Sequence, residues 1–116
     1  MRLKSALWVA AYIRGCQNAG VFVAIRQRGA EEAGAIFIKI NRLDARAELF
    51  GPAPQSVFDE GHPMDRAFTR IFGETPAEES VVEERLAREM TYDPDLWIIE
   101  VEDREGRNFL EWVTKE

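Results

Sequence analysis

TYDPDLWIIEVEDREG, residues 91–106, sets three aspartates and three glutamates around the apolar run 96–99. Its reading decides the fold. Pro94 cannot continue a helix and disfavours helical geometry at Asp93, so DPD predicts a turn out of a preceding helix. The alternation that follows predicts a strand over 96–103, with Trp97, Ile99 and Val101 on one face and Leu96, Ile98, Glu100 and Glu102 on the other. EDREGR then turns, and NFLEWV (108–113) is expected as a last hairpin strand.

The carboxylates admit a hard-cation site, since magnesium is held by one or two carboxylates with water and phosphate oxygens. Asp95 and Glu100, however, have opposite strand parity and lie about 17 Å apart along extended chain. The aspartates are therefore expected to shape the turn, and the glutamates to solvate the strand end.

Upstream, Thr75 with Glu78 forms a capping-box pattern with Pro76 at the first helical position, which predicts a helix over 76–91. Val82, Leu86 and Met90 form its buried stripe. Glu84 with Arg88, and Arg85 with Glu89, fall four residues apart on its solvent face. RAFTRIF (66–72) alternates as a short strand, and 51–65, with three prolines and two glycines, is the one long loop. VFVAIRQR (21–28), GAIFIKIN (34–41) and AELF (47–50) read as an antiparallel meander. Val21, Val23, Ile25, Ile36, Ile38 and Ile40 share one face. Phe22, Ala24, Arg26, Arg28, Phe37 and Lys39 share the other.

Residues 4–18 predict the first helix, with Gly20 as its stop. Leu3, Ala6, Leu7, Ala10 and Ile13 form one stripe, and Trp8, Tyr12 and Cys16 a second on the opposite side, so the helix is apolar nearly all round. One sheet face can cover only one stripe. The Trp8/Tyr12 stripe is therefore expected to be the contact of a two-fold homodimer, unless the 51–65 loop with Val57 and Phe58 folds over it.

A chain of 116 residues predicts a single domain, 1–116. Cys16 and His62 each stand alone, which excludes an internal disulfide and a Cys/His zinc set and suggests a reduced, cytoplasmic setting. Arg14, two residues before Cys16, and the aromatics Trp8 and Tyr12 argue against a secretory or lipoprotein leader, and the apolar run 6–13 is too short to span a membrane. The net charge of −6 is uneven: residues 1–72 hold ten Lys/Arg against seven Asp/Glu, and residues 73–116 five against fourteen. An acidic chain repels nucleic acid, although the asymmetry leaves room for a local basic face or head-to-tail self-association.

That face is the sharpest constellation. Arg26, Arg28 and Lys39, joined by Arg66 and Arg70, alternate with Phe22, Phe37 and Phe68, a pattern that single-stranded nucleic acid or an anionic ligand would use through charge and stacking. The alternative is that the phenylalanines pack beneath a helix while the basic stems reach the rim. The order helix, three strands, helix, strand is shared with restriction-endonuclease-like nucleases, but their acid two residues before a strand lysine is Phe37 here. His62 in GHP offers a general base, Ser5, Ser56 and Ser80 occupy no nucleophile elbow, and no P-loop or dinucleotide glycine fingerprint is present.

LKSALWVAAYIRGC (3–16), GAIFIKINRLD (34–44), LFGPAPQ (49–55) and RLAREMTYDPDLWIIEVEDREGR (85–107) together resemble an uncharacterised bacterial family, domain of unknown function 1491. The resemblance covers nearly the whole chain and implies a stand-alone cytoplasmic domain, with no activity, cofactor or catalytic residue to carry over.

The expected fold is α+β: a mainly antiparallel sheet of five or six strands carrying two helices, in the order helix, three strands, a further short strand, helix, strand and a last short strand. The expected function is a non-enzymatic protein-interaction module with an unknown protein partner, no cofactor, no metal and no membrane. A metal-dependent hydrolase of phosphate-containing substrates and a weak single-stranded nucleic-acid or anion binder are the alternatives.

Overall fold

The computed structural model describes residues 3–54 and 66–114. Helix α1 spans Ser5–Asn18 and ends where Gly20 takes φ +82°, a conformation that a residue without Cβ adopts freely. Strands β1 (Phe22–Gln27), β2 (Ile36–Asn41), β3 (Arg46–Pro52), β4 (Phe68–Arg70) and β5 (Ala77–Glu78) follow, then α2 (Glu79–Tyr92), β6 (Trp97–Glu102) and β7 (Val113–Thr114). No helix among the described residues is long and apolar enough to cross a membrane.

The α+β class and the two helices are as expected; the meander is not. The sheet is mixed, in the order β1-β6-β2-β3-β4-β7, with β5 on β3. β6 lies between β1 and β2, antiparallel to the first and parallel to the second. A hairpin between β1 and β2 was the expectation because both runs alternate and a glycine-bearing loop joins them. That loop spans 28–35, longer than a tight hairpin needs and long enough to bridge two strand spacings of about 4.8 Å each. It wraps the entry of β6: Ala30 N–H donates to the Asp95 carbonyl (2.8 Å), Trp97 Nε1–H to the Ala30 carbonyl (2.8 Å) and Trp97 N–H to the Ala35 carbonyl (2.7 Å).

Gly29 makes this crossing possible. A Cβ there would press on the Asp95 carbonyl oxygen and lie 2.6 Å from both the Leu96 carbonyl carbon and Trp97 Cδ1. Gly29→Ala is expected to cost about 1–3 kcal/mol, as overpacking against backbone does. Urea unfolding checks it, and an unchanged midpoint would show that the loop yields freely.

Three further elements differ from expectation. α2 starts at Glu79 with Glu78 at its N-cap, because Ala77 and Glu78 pair with β3 and so remove Thr75 and Pro76 from the helix. The 66–72 strand shrinks to β4. The last strand, β7, is two residues long and pairs parallel with β4 rather than forming a hairpin with β6. On the α2 surface Arg85 meets Glu89 at 2.8 Å, while no Glu84–Arg88 pair forms among the described residues. The expected 51–65 loop begins later, since β3 runs to Pro52, and its residues 55–65, with Ser56, Val57, Phe58 and His62, lie outside the described residues.

Helix α1 covers one face of the sheet and α2 the other. Val9, Tyr12 and Cys16 pack on Ile36, Ile38, Ile40, Phe50, Trp97, Ile99 and Val101, whereas Val82 and Leu86 pack on Phe37, Leu49, Leu96 and Ile98. Each fully buried aliphatic or aromatic side chain contributes about 1.5–3 kcal/mol. β6 is covered on both faces, which is why 96–99 are apolar at both parities.

Candidate functional site

The residues expected to form one basic and aromatic surface are divided between the two faces. Arg26, Phe37 and Lys39 lie beneath α2; Arg66, Phe68 and Arg70 lie on the α1 side. Between Ile25 and Gln27 the β1–β6 register slips by one, and the extra residue is Arg26. A bulge of this kind re-aims one side chain and reverses the parity of those after it. Arg28 therefore leaves the face it was expected to share with Arg26 and stands over the Trp97 ring, 5.2 Å from its centroid.

Under α2, Glu79 and Glu83 stand one helical turn apart and flank the Val82/Leu86 stripe, so both reach the sheet. Lys39, with its side chain 2% exposed, donates to Glu79 at 2.7 Å and Glu83 at 2.5 Å, and Glu100 lies 3.6 Å away. Arg26 donates to Glu83 (2.6 and 2.8 Å) and Glu100 (2.9 Å), and Asn41 Nδ2 to Glu79 (3.2 Å) and Glu100 (3.0 Å). The hydrogen bond from Arg26, with help from Lys39, holds the Glu83 carboxyl down at about 2 against an ordinary 4.5. Burial pulls the Lys39 ammonium down, but the bonds to Glu79 and Glu83 outweigh it and leave its pKa above the ordinary value. Two cations thus meet three carboxylates in a closed network, and Phe37 is buried in the core beside it. The acidic excess of the second half of the chain is spent partly here, within the molecule.

The α1 side is equally committed. Arg70 lies over Phe50 at 4.9 Å and meets Glu48 at 3.2 Å, which Arg42 also reaches at 2.9 Å. Arg66, itself buried, donates to the Leu3 carbonyl (2.9 Å) and Ser5 Oγ (3.0 Å), while Ser5 Oγ–H donates to the Gly34 carbonyl (2.6 Å). These bonds fasten the start of α1 to the sheet. Phe68 packs against Trp8 with ring centroids 5.2 Å apart.

The inward side of α1 is centred between the two stripes, on Val9, Tyr12 and Cys16, with Ala6, Trp8 and Ile13 at its margins. Tyr12 and Cys16 face the sheet and are buried, whereas Leu7 is 58% exposed. Trp8 stacks on Tyr12 at 5.1 Å and 11°, and Tyr12 donates its hydroxyl to the Asn108 carbonyl at 2.6 Å. Tyr12 and Cys16 are thus covered within the chain, whereas Trp8, expected with Tyr12 as the contact between copies, is half-buried. A helix apolar all round gives no signal as to which side turns inward; here Phe68 and the 108–110 segment supply the better fit. Burial pushes the Tyr12 phenol and the Cys16 thiol up, so both are protonated at neutral pH.

Where the C-terminal segment leaves Trp8 half-buried, a cleft of about 410 Å³ forms between Leu3, Trp8, Ala11, Tyr12, Gly15, Arg66, Phe109 and Glu111. Phe109 sits at φ +58°, a region that bulky residues rarely enter, and Arg107 lies 5.3 Å over its ring. No signal in the sequence marked Phe109 or Gly15. Glu79 and Glu83 could have been found, since they flank the apolar stripe of a predicted helix.

Asp93 and Asp95 shape the turn as expected, Asp93 Oδ1 accepting the Asp95 N–H at 3.0 Å. Glu100, expected to solvate the strand end, is instead drawn into the ion network by Arg26 and Asn41. Among the described residues, no three His, Cys, Asp or Glu side chains are grouped so as to hold a metal ion.

Two helices on opposite faces of a seven-stranded mixed sheet, with a closed ion network on one side and an aromatic cleft on the other, define a small α+β domain. Residues 3–111 match the family described as Protein of unknown function (DUF1491), and the chain belongs to that family. It is similar to a DUF1491 family protein from Caulobacter crescentus CB15, whose crystal structure is 32% identical, with a TM-score of 0.78 over 98% of this chain and 99% of that one. An NMR structure of a DUF1491 family protein from the same organism is also 32% identical, with a TM-score of 0.78 over 98% of each chain. A protein from A. tumefaciens solved in solution is 40% identical, with a TM-score of 0.77 over 97% of this chain and 95% of that one. Among curated proteins, none matches.

Proposed function

We propose that the domain is a non-enzymatic protein-interaction module that holds an apolar side chain of its partner in the cleft beside Trp8 and Tyr12. The observation that carries this reading is Gly15. It lies inside α1 without a positive φ, and a Cβ there would meet nothing within 4 Å. A helix-interior glycine costs about 0.5–1 kcal/mol relative to alanine, and neither backbone geometry nor packing requires this one. It lines the cleft and leaves room there for a further group, and a local rule broken without a structural return marks a functional site. The strained backbone of Phe109 on the opposite wall points the same way. The cleft has the size of sites that bury an apolar group. Of the cations expected to bind phosphate, Arg26, Lys39 and Arg70 are engaged by Glu79, Glu83, Glu100 and Glu48, and Arg66 is buried against the Leu3 carbonyl and Ser5, which weighs against both the nucleic-acid and the hydrolase readings.

Titration of the labelled protein with acetyl-Gly-Xaa-Gly-amide peptides, followed by NMR, tests the reading. Peptides with leucine or phenylalanine at the centre should give saturable shifts at Trp8, Ala11, Gly15 and Phe109, and one with aspartate should not. Gly15→Leu, which fills the cleft, should abolish those shifts, whereas Gly15→Ala should raise stability by about 0.5–1 kcal/mol. Shifts that survive Gly15→Leu, or none at millimolar peptide, would remove the cleft from consideration.

A further inference from the structure

The two ends of the sheet are unequal. One closes on β7, two residues long; the other is β1, six residues long and paired only with β6 among the described residues. From Phe22 to Ile25 alternate residues of β1 thus turn N–H and C=O groups away from the sheet, and the bulge at Arg26 interrupts the series before Gln27. Its side chains are unusually apolar for an open edge, with Phe22 60% and Ile25 38% exposed on opposite faces. Beside Ile25 a second groove, of about 270 Å³, opens between β1 and α1 and is lined by Ala6, Val9, Ala10, Ile13, Arg28 and Trp97. At its end stands Arg28, exposed, held over the Trp97 ring and, in contrast to Arg26, without an ion pair among the described residues.

We propose that β1 is a docking edge for an extended segment of a partner protein, one that alternates apolar residues and sets a carboxylate against Arg28. Main-chain bonds to β1 would supply affinity, and the groove would take every second side chain of the added strand. The charge decides the occupant. A second copy pairing antiparallel through β1 would bring residues 20–23, glycine and apolar throughout, opposite Arg28 and leave it without a counter-charge. A partner segment ending in an acid satisfies it. This inference rests on the interaction-module reading but concerns a surface separate from the Trp8/Tyr12 cleft.

The probe is acetyl-Asp-Thr-Val-Thr-Val-amide, whose aspartate and valines share one face of an extended strand, titrated into the labelled full chain and followed by NMR. Saturable shifts are expected across 22–28 and at Ala10 and Ile13, with at least tenfold weaker binding when lysine replaces the aspartate. Binding should also be lost when alternate peptide nitrogens are methylated. Arg28→Glu, at an exposed position, should keep a folded spectrum and reverse the preference between the aspartate and lysine peptides. Equal affinity for both peptides, or no shift in β1, overturns the proposal. So do shifts confined to Trp8, Ala11 and Gly15, which would leave the cleft reading standing. A wild-type dimer with protected β1 amides would place a second copy on the edge and overturn it as well.

Discussion

Lys39→Met is expected to lower the stability by about 2–3 kcal/mol at neutral pH, less than the roughly 3–5 kcal/mol for breaking a fully buried ion pair, because Glu79 and Glu83 are about a third exposed and water screens the charges left behind. Methionine matches the length of the lysine stem and is at home in a core, so packing changes little and the loss isolates the charge. Glu79, Glu83 and Glu100 would then share only Arg26 and Asn41. Adding Glu79→Gln and Glu83→Gln to the variant should recover most of the loss, because the stranded charges disappear with it.

The pH dependence has a definite sign. Glu83 titrates at about 2 when folded against an ordinary 4.5, so its contribution is complete above 4.5 and is lost as the pH falls towards 2. Lys39 is shifted upward, so its contribution is complete below its ordinary 10.5 and is lost as the pH rises through its raised folded value. The gap between wild type and Lys39→Met should therefore be level from about pH 5 to 10 and narrow on acidification below 4.5. Urea unfolding at a series of pH values measures it. A gap under about 1 kcal/mol at pH 7 would mean that solvent already screens the cluster, and one unchanged at pH 2 that the loss comes from packing and not from charge.

Trp97→Ala should cost about 3–5 kcal/mol, the range for deleting a buried aromatic. Trp97 is fully buried at the start of β6, opposite Ile36 in the parallel ladder, and its indole N–H is the tie to the Ala30 carbonyl. Removing it opens a void beneath α1 and frees the 28–35 loop that lets β6 pass between β1 and β2. Trp97→Phe keeps most of the packing and loses the tie, which should cost about 1 kcal/mol for the hydrogen bond plus the unfilled volume. Amide exchange separates the two effects: the phenylalanine variant should lose protection at Ala30 and Gly34, while the β6 amides keep theirs. If protection in the loop were unchanged, the indole hydrogen bond would not be what holds the crossing. Because Arg28 rests on this ring, the alanine variant should also lose any preference for an acidic peptide at β1.

Much of the secondary structure was legible because it follows from short-range rules. The helix at 5–18 was bounded by its spacing and by Gly20, the strand parity of Ile36, Ile38 and Ile40 came from alternation, and Asp93–Pro94 announced the end of α2. The apolar run at 96–99 also carried an unread clue, since a strand apolar at both parities is covered on both faces and belongs inside a sheet.

What the sequence determined by itself, then, was the class, two helices with an alternating sheet, along with the family and the faces of the strands up to the first irregularity. Only the tertiary structure decided that β6 separates β1 from β2, because strand pairing is a contest between distant segments that local patterning does not rank. It alone chose the inward side of α1, because a helix apolar all round has no preferred side until Phe68 and Asn108 meet Trp8 and Tyr12. It also turned Arg28 away from Arg26, because one extra residue in a strand reverses every side chain after it. Lastly, it closed the basic face with Glu79, Glu83 and Glu100, because a buried lysine is tolerated only where carboxylates, here forty or more residues away along the chain, are brought within hydrogen-bond reach.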